Sequence, residues 1–161
     1  METKFLKKSI CMTFGFMLIF HLLAAKDTVN IDGMDSLIYS GNYTIKVTQI
    51  EPTSASTVQA NTIYTLTIRN DSVYSDLPYF GRAYAVSYNQ NNGLEMETSI
   101  TDYSVIKKDK GMKEARFVSR TINDTYKWLL RFENDGTVQI QVSMSNKQPI
   151  RFVGTIRSPK L

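Results

Sequence analysis

Beyond about residue 42 the chain alternates apolar and polar positions with a period of two. Tyr43, Ile45, Val47 and Gln49 interleave with Thr44, Lys46 and Thr48, and Tyr64, Leu66 and Ile68 with Thr65 and Thr67. Tyr126, Trp128, Leu130 and Phe132 interleave with Lys127, Leu129, Arg131 and Glu133. The rhythm continues from Val138 to Met144 and from Ile150 to Ile156, with a shorter piece around Val118. Side chains that alternate in this way stand on opposite faces of a strand, one face buried and one wet. Turn formers separate the runs: Asn70-Asp71, Asn91-Asn92-Gly93, Lys110-Gly111, Asn134-Asp135-Gly136 and Asn146-Lys147. Links this short join antiparallel neighbours, because a parallel crossover needs a dozen residues or more. The pattern predicts an all-β fold, a single antiparallel meander of about eight strands forming a small barrel or sandwich. Its expected core is Tyr43, Ile45, Leu66, Val118, Trp128, Leu130, Ile140, Val142, Phe152 and Ile156. One helical turn is expected from Met34 to Tyr39, ended by Gly41, and a Ser/Thr-rich loop over 52–61.

The N-terminus follows a different pattern. Lys4, Lys7 and Lys8 precede an apolar run from Ile10 to Leu23, broken by Thr13, Gly15 and His21, and then Ala24-Ala25. Charge, apolar stretch and small residues in that order form a secretory signal. The run, about 14 residues, is short of the roughly 20 that span a bilayer. Cys11 precedes the run, whereas a lipid-accepting cysteine should follow it. The expected organisation is a signal peptide at 1–25, a flexible lead-in at 26–36 and an all-β domain at 37–157, with no membrane span in the mature chain. Localisation is expected to be periplasmic or secreted, after cleavage near Ala25.

Cleavage changes what chemistry is available. The only cysteine and the only histidine of the 161 residues lie in the signal. A mature chain without thiol or imidazole has no histidine-based triad, no cysteine nucleophile and no zinc site built from Cys and His. Net charge falls from +4 to +2 when the leader's three lysines and Glu2 are lost. The remaining basic residues are dispersed, apart from the short Lys107-Lys108-Asp109-Lys110 group. This excludes the clustered basic stripe of a nucleic-acid binder. Glu95 and Glu97 share one face of an expected strand, roughly 7 Å apart, a spacing known from glycosidase carboxylate pairs. Such pairs usually come from different strands across a deep cleft, so a solvated strand face accounts for these two better, and a carboxylate-based hydrolase is the remote alternative. No catalytic residue, metal ligand or cofactor is assigned.

One segment breaks the alternation: Leu77-Pro78-Tyr79-Phe80-Gly81-Arg82-Ala83-Tyr84. Pro78 removes a ladder donor and fixes φ, and Gly81 permits a sharp bend. Tyr79, Phe80 and Tyr84 bring three rings around that bend, with the guanidinium of Arg82 among them. The functional reading is a ligand-binding platform of Tyr79, Phe80, Arg82 and Tyr84 on the structural bend of Pro78 and Gly81. The structural reading is a sheet corner with the rings in the core and Arg82 paired to a fixed partner.

The same octapeptide resembles the signature of a family of uncharacterised exported domains from Gram-negative gut-type bacteria, known only as a domain of unknown function. Ser40-Gly41-Asn42-Tyr43, Asp71-Ser72-Val73 and Asn146-Lys147-Gln148-Pro149-Ile150, with Phe152 and Gly154, carry the resemblance from Ser36 to Ile156. The Ser/Thr-rich stretch at 52–60 departs from it. The resemblance implies a periplasmic location and assigns no activity. The expected function is therefore an exported, non-catalytic binding or accessory module for an unknown apolar, glycan or peptide ligand. The alternative is a structural or protein-interaction component of the envelope, with an envelope protein as partner.

Overall fold

The computed structural model describes residues 31–82 and 93–159. The signal expected at 1–25 and the first residues of the expected lead-in lie outside them. Helix α1 (Ile31–Ser40) is followed by eight strands: β1 (Tyr43–Pro52), β2 (Val58–Arg69), β3 (Ser72–Asp76), β4 (Met96–Lys107), β5 (Lys113–Arg120), β6 (Thr125–Phe132), β7 (Thr137–Met144) and β8 (Ile150–Arg157). Each strand pairs antiparallel with the next, and β8 returns to pair with β1. The sheet is a closed up-and-down barrel. Of the two architectures the alternation permitted, closure decides for the barrel.

The inward residues are those the alternation marks. Tyr43, Ile45, Leu66, Trp128, Leu130, Ile140, Val142, Phe152 and Ile156 are all buried. Val118 is the exception. It pairs with Thr101 and Lys127 on the outer face, and its neighbours Phe117 and Ser119 point inward. Gln49 also departs from its run. Thr48 is an extra residue between the Val47–Gly154 and Gln49–Val153 pairs, so the phase flips and Ile50 is buried in its place. Such a bulge bends a strand, which helps a sheet to close. Opposite it, β2 makes a longer excursion between Gln59 and Tyr64, leaving Ile63 exposed.

The helix is longer than the single turn expected, and it takes in residues 31–36 of the assigned lead-in. It stops at Gly41, whose φ of +62° lets Gly41 N–H bond the Ile38 carbonyl and Asn42 N–H bond the Leu37 carbonyl. Met34 and Ile38 are buried in the barrel core. Tyr103 Oη donates to the Ile38 carbonyl, and inward-facing Lys113 pairs with Asp35. The helix therefore covers the barrel end that carries the β2–β3, β4–β5 and β6–β7 turns. The other end carries the β1–β2, β3–β4, β5–β6 and β7–β8 connections.

Candidate functional site

The atypical segment lies at that second end. Leu77 continues from β3 and is buried, and its carbonyl accepts from Leu94 N–H at 2.7 Å. From there the chain runs to Arg82, whose carbonyl accepts from Gln148 N–H at 3.0 Å. Gln148 belongs to the β7–β8 turn, and in a ring of eight consecutive strands β3 and β7 stand opposite each other. The residues between them, bent at Gly81, link these two walls. Pro78 to Arg82 is therefore a strap over the end opposite α1.

Gln148 holds the strap at three points. Its N–H bonds Arg82, its side-chain Oε1 lies 3.3 Å from Arg82 N, and its carbonyl lies 3.1 Å from Tyr79 Oη. The Tyr79 hydroxyl also lies 3.0 Å from the Arg82 carbonyl, so its single proton serves two acceptors in turn. A Cβ at Gly81 would sit 2.5 Å from Tyr79 Oη, so any side chain at this position must push the phenol aside. Lys147 Nζ stands 5.1 Å from the centre of the Tyr79 ring, a cation–π geometry. Ser54, from the β1–β2 loop, donates to Gln148 Oε1 at 3.3 Å. The Asp124 carboxylate, in the β5–β6 turn, accepts from Thr125 N–H at 2.8 Å and Ser145 N–H at 2.9 Å, joining that turn to the β7–β8 turn.

Neither sequence reading of the segment matches this geometry in full. Tyr79 is half-buried and packs against the core. Phe80 is 48% exposed, and Arg82 projects from the surface. The fixed partner expected for the Arg82 guanidinium is absent among the described residues, since it is the main chain of Arg82 that is held. Tyr84 lies outside the described residues. Lys147 entered the sequence reading as a turn former and Gln148 only through the resemblance, and nothing in their local pattern marks them as the strap's anchor. Glu95 and Glu97 are exposed on the outer surface rather than in a cleft. Among the described residues no three Asp, Glu, His or Cys side chains gather as a metal site. No described helix is long and apolar enough to cross a membrane.

The inner wall near the strap contains hydroxyls as well as apolar groups. Ser75 faces inward opposite Leu66 and Met96. Ser119 Oγ accepts from Trp128 Nε1 at 2.9 Å and lies 3.8 Å from Met96 Sδ. Trp128 stacks on Phe117 with ring centres 5.6 Å apart. The Tyr126 phenol at this end is pushed up by burial.

The chain thus forms a closed antiparallel barrel with a helix over one end and an aromatic strap over the other. Over residues 25–156 it matches a domain-of-unknown-function family, DUF4251, and it belongs to that family. It is similar in fold to a crystal structure of a DUF4251 family protein from Bacteroides eggerthii, with a TM-score of 0.62 at 14% identity, covering 82% of this chain and 89% of that one. No curated protein matches.

Proposed function

We propose that this chain is an exported, non-catalytic binding module that takes an apolar ligand at the strapped end of its barrel. The observation that carries this reading is the strap itself. Five residues rich in rings lie at the mouth, held to one turn through the Arg82 main chain and the Tyr79 hydroxyl, and the Arg82 guanidinium has no partner among the described residues. An eight-stranded barrel has an interior that side chains fill or that one small molecule shares with them. Tyr79 and Phe80 supply ring faces and Arg82 a planar cation for the ligand's outer end. Export to the periplasm is supported by the signal pattern at 1–25 and by the Bacteroides origin of the structural relative.

The test is native mass spectrometry of the protein isolated from its own cells, followed by the same measurement on Arg82→Ala. A bound small molecule in the parent, lost in Arg82→Ala at unchanged melting temperature, supports the reading. A parent with bare polypeptide mass would overturn it.

A second reading, a protein-interaction component of the envelope, is favoured by one observation. Ile122, at the tip of the β5–β6 turn, is 98% exposed on the same end as Phe80. Cross-linking from position 122 in intact cells to a single envelope protein, abolished by Ile122→Asp, would favour it over ligand binding.

A further inference from the structure

We infer that the barrel interior near the strap contains a subsite for the neutral oxygen of an otherwise apolar molecule, formed by the Ser75 and Ser119 hydroxyls around Met96; this rests on the binding reading above. Ser75 is only 5% exposed, and its Oγ has no hydrogen-bond partner among the described residues. Buried hydroxyls are rarely left so, because water's hydrogen bonds are lost and nothing replaces them. Ser119, 1% exposed, accepts from Trp128 Nε1–H, and its own proton faces Met96 Sδ at 3.8 Å. A thioether is a weak acceptor. Met96 is also the cross-strand partner of Ser75. Two O–H donors therefore flank one methionine, and neither has a strong acceptor.

Methionine is unbranched and repacks easily. Met96 is only partly buried against the core, unlike Leu66, Leu77 and Leu94 around it. An oxygen displacing its thioether would accept from both serines, with the leucines and the Trp128–Phe117 stack around the hydrocarbon. The ligand's charge follows from the same inventory. The buried inward lysine, Lys113, lies at the far end and is paired with Asp35. A carboxylate beside Ser75 would have hydroxyls and no counter-ion, a costly burial. The fitting groups are a ketone, an ester or an ether oxygen.

The single tryptophan of the chain reports on the site through its bond to Ser119. The purified protein is titrated with decan-2-one and with decanoate at pH 8, reading Trp128 emission. The ketone is expected to shift the emission, and Ser75→Ala to weaken its binding roughly five- to tenfold, the value of one hydrogen bond. Ser75→Ala should melt no lower than the parent, since it removes an unpartnered group. Decanoate should bind more weakly than the ketone. Any decanoate held at the mouth should be lost with Arg82→Ala and spared by Ser75→Ala. No shift with the ketone, equal ketone affinity in parent and Ser75→Ala, or decanoate binding tighter than the ketone in Arg82→Ala would each overturn the subsite. None of these touches the mouth reading, which the native mass and Arg82→Ala decide.

Discussion

Gly154→Ala tests how the barrel closes. Gly154 occupies an inward position on β8, between Val47 of the bulged β1 and Val138 of β7. An added Cβ would overlap the Lys46 carbonyl oxygen and come within 2.9 Å of Ile45 Cγ2 and 3.0 Å of the Lys46 carbonyl carbon. Carbon atoms in contact prefer about 3.5–4.0 Å, so β1 would have to retreat by roughly half an ångström or more. Its backbone cannot do so alone, because it is laddered to β2 on one side and β8 on the other. Overpacking of this kind costs about 1–3 kcal/mol, and the rigid carbonyl places the site at the upper end. Stiffening of the unfolded chain by alanine returns about 0.5 kcal/mol. The net loss is about 2–3 kcal/mol, a fall in melting temperature of roughly 10 °C for a domain of this size. Thermal melts by circular dichroism measure it, with Gly33→Ala as the control. Gly33 is exposed in α1, where a Cβ meets nothing within 4 Å, so the control should hold or gain up to about 1 kcal/mol. A Gly154→Ala melt within 2 °C of the parent would refute the argument that β1 is pressed against this glycine.

Tyr103→Phe should cost about 2 kcal/mol and Tyr43→Phe less than 1 kcal/mol in urea unfolding. Tyr103 Oη donates to the Ile38 carbonyl and in turn to Tyr43 Oη at 3.3 Å, so removing Tyr103 Oη takes the donor from both partners, whereas removing Tyr43 Oη takes away only one of two acceptors. Both phenols are raised by burial and should stay protonated through pH 10, read by ultraviolet difference spectroscopy. Glu114→Gln should destabilise by about 1 kcal/mol at pH 7, discounted because Arg116 and Arg131 are half-exposed. Burial pushes the Glu114 carboxyl up, but the two arginines together hold it below the usual range. A depressed native value stabilises above the unfolded value, near 4.3, and the gap between parent and variant should close as pH falls below that value; a gap that persists at pH 2 contradicts the pairing. Gly81→Ala should displace the Tyr79 phenol from Gln148 and speed amide exchange at Gln148 while leaving β6 and β7 protected. Equal exchange in parent and variant would contradict the role given to Gly81.

The strands that were legible are those whose inner face is continuous. In β6 and β8 every second residue is buried, and in β7 all but the last, Met144, and the sequence shows this directly. β4 was not legible in the same way, because it changes phase midway. Met96, Thr98 and Ile100 face inward, then Asp102 adopts a φ of +59° and the pairing shifts between Thr101 and Ser104, so that Tyr103 and Val105 take over. Neither half is long enough to show a period alone. β3 has five residues, too few to establish one. Val118 was misassigned for a related reason. Two aliphatic or aromatic residues in a row, Phe117-Val118, leave the phase of a short strand to its partners, and Trp128 opposite Phe117 settles it.

The mouth was visible only as an irregularity. Pro78 and Gly81 show that the chain leaves the sheet there, but a local pattern says nothing about where it lands. That depends on ring closure, which brings β3 and β7 to opposite walls and so sets Gln148, 66 residues away from Arg82, as the anchor. The interior hydroxyls were hidden in another way. A serine in an alternating run reads as a polar residue on the wet face, and Ser75 sits two positions after Val73 and two before Leu77. That spacing puts it on the inner face with both of them, where the barrel buries all three. A polar side chain in phase with apolar ones is thus the mark that periodicity leaves of an internal site. Ser119 carries the same mark beside Phe117, and the two meet at one methionine because β3, β4 and β5 are consecutive staves of the same wall.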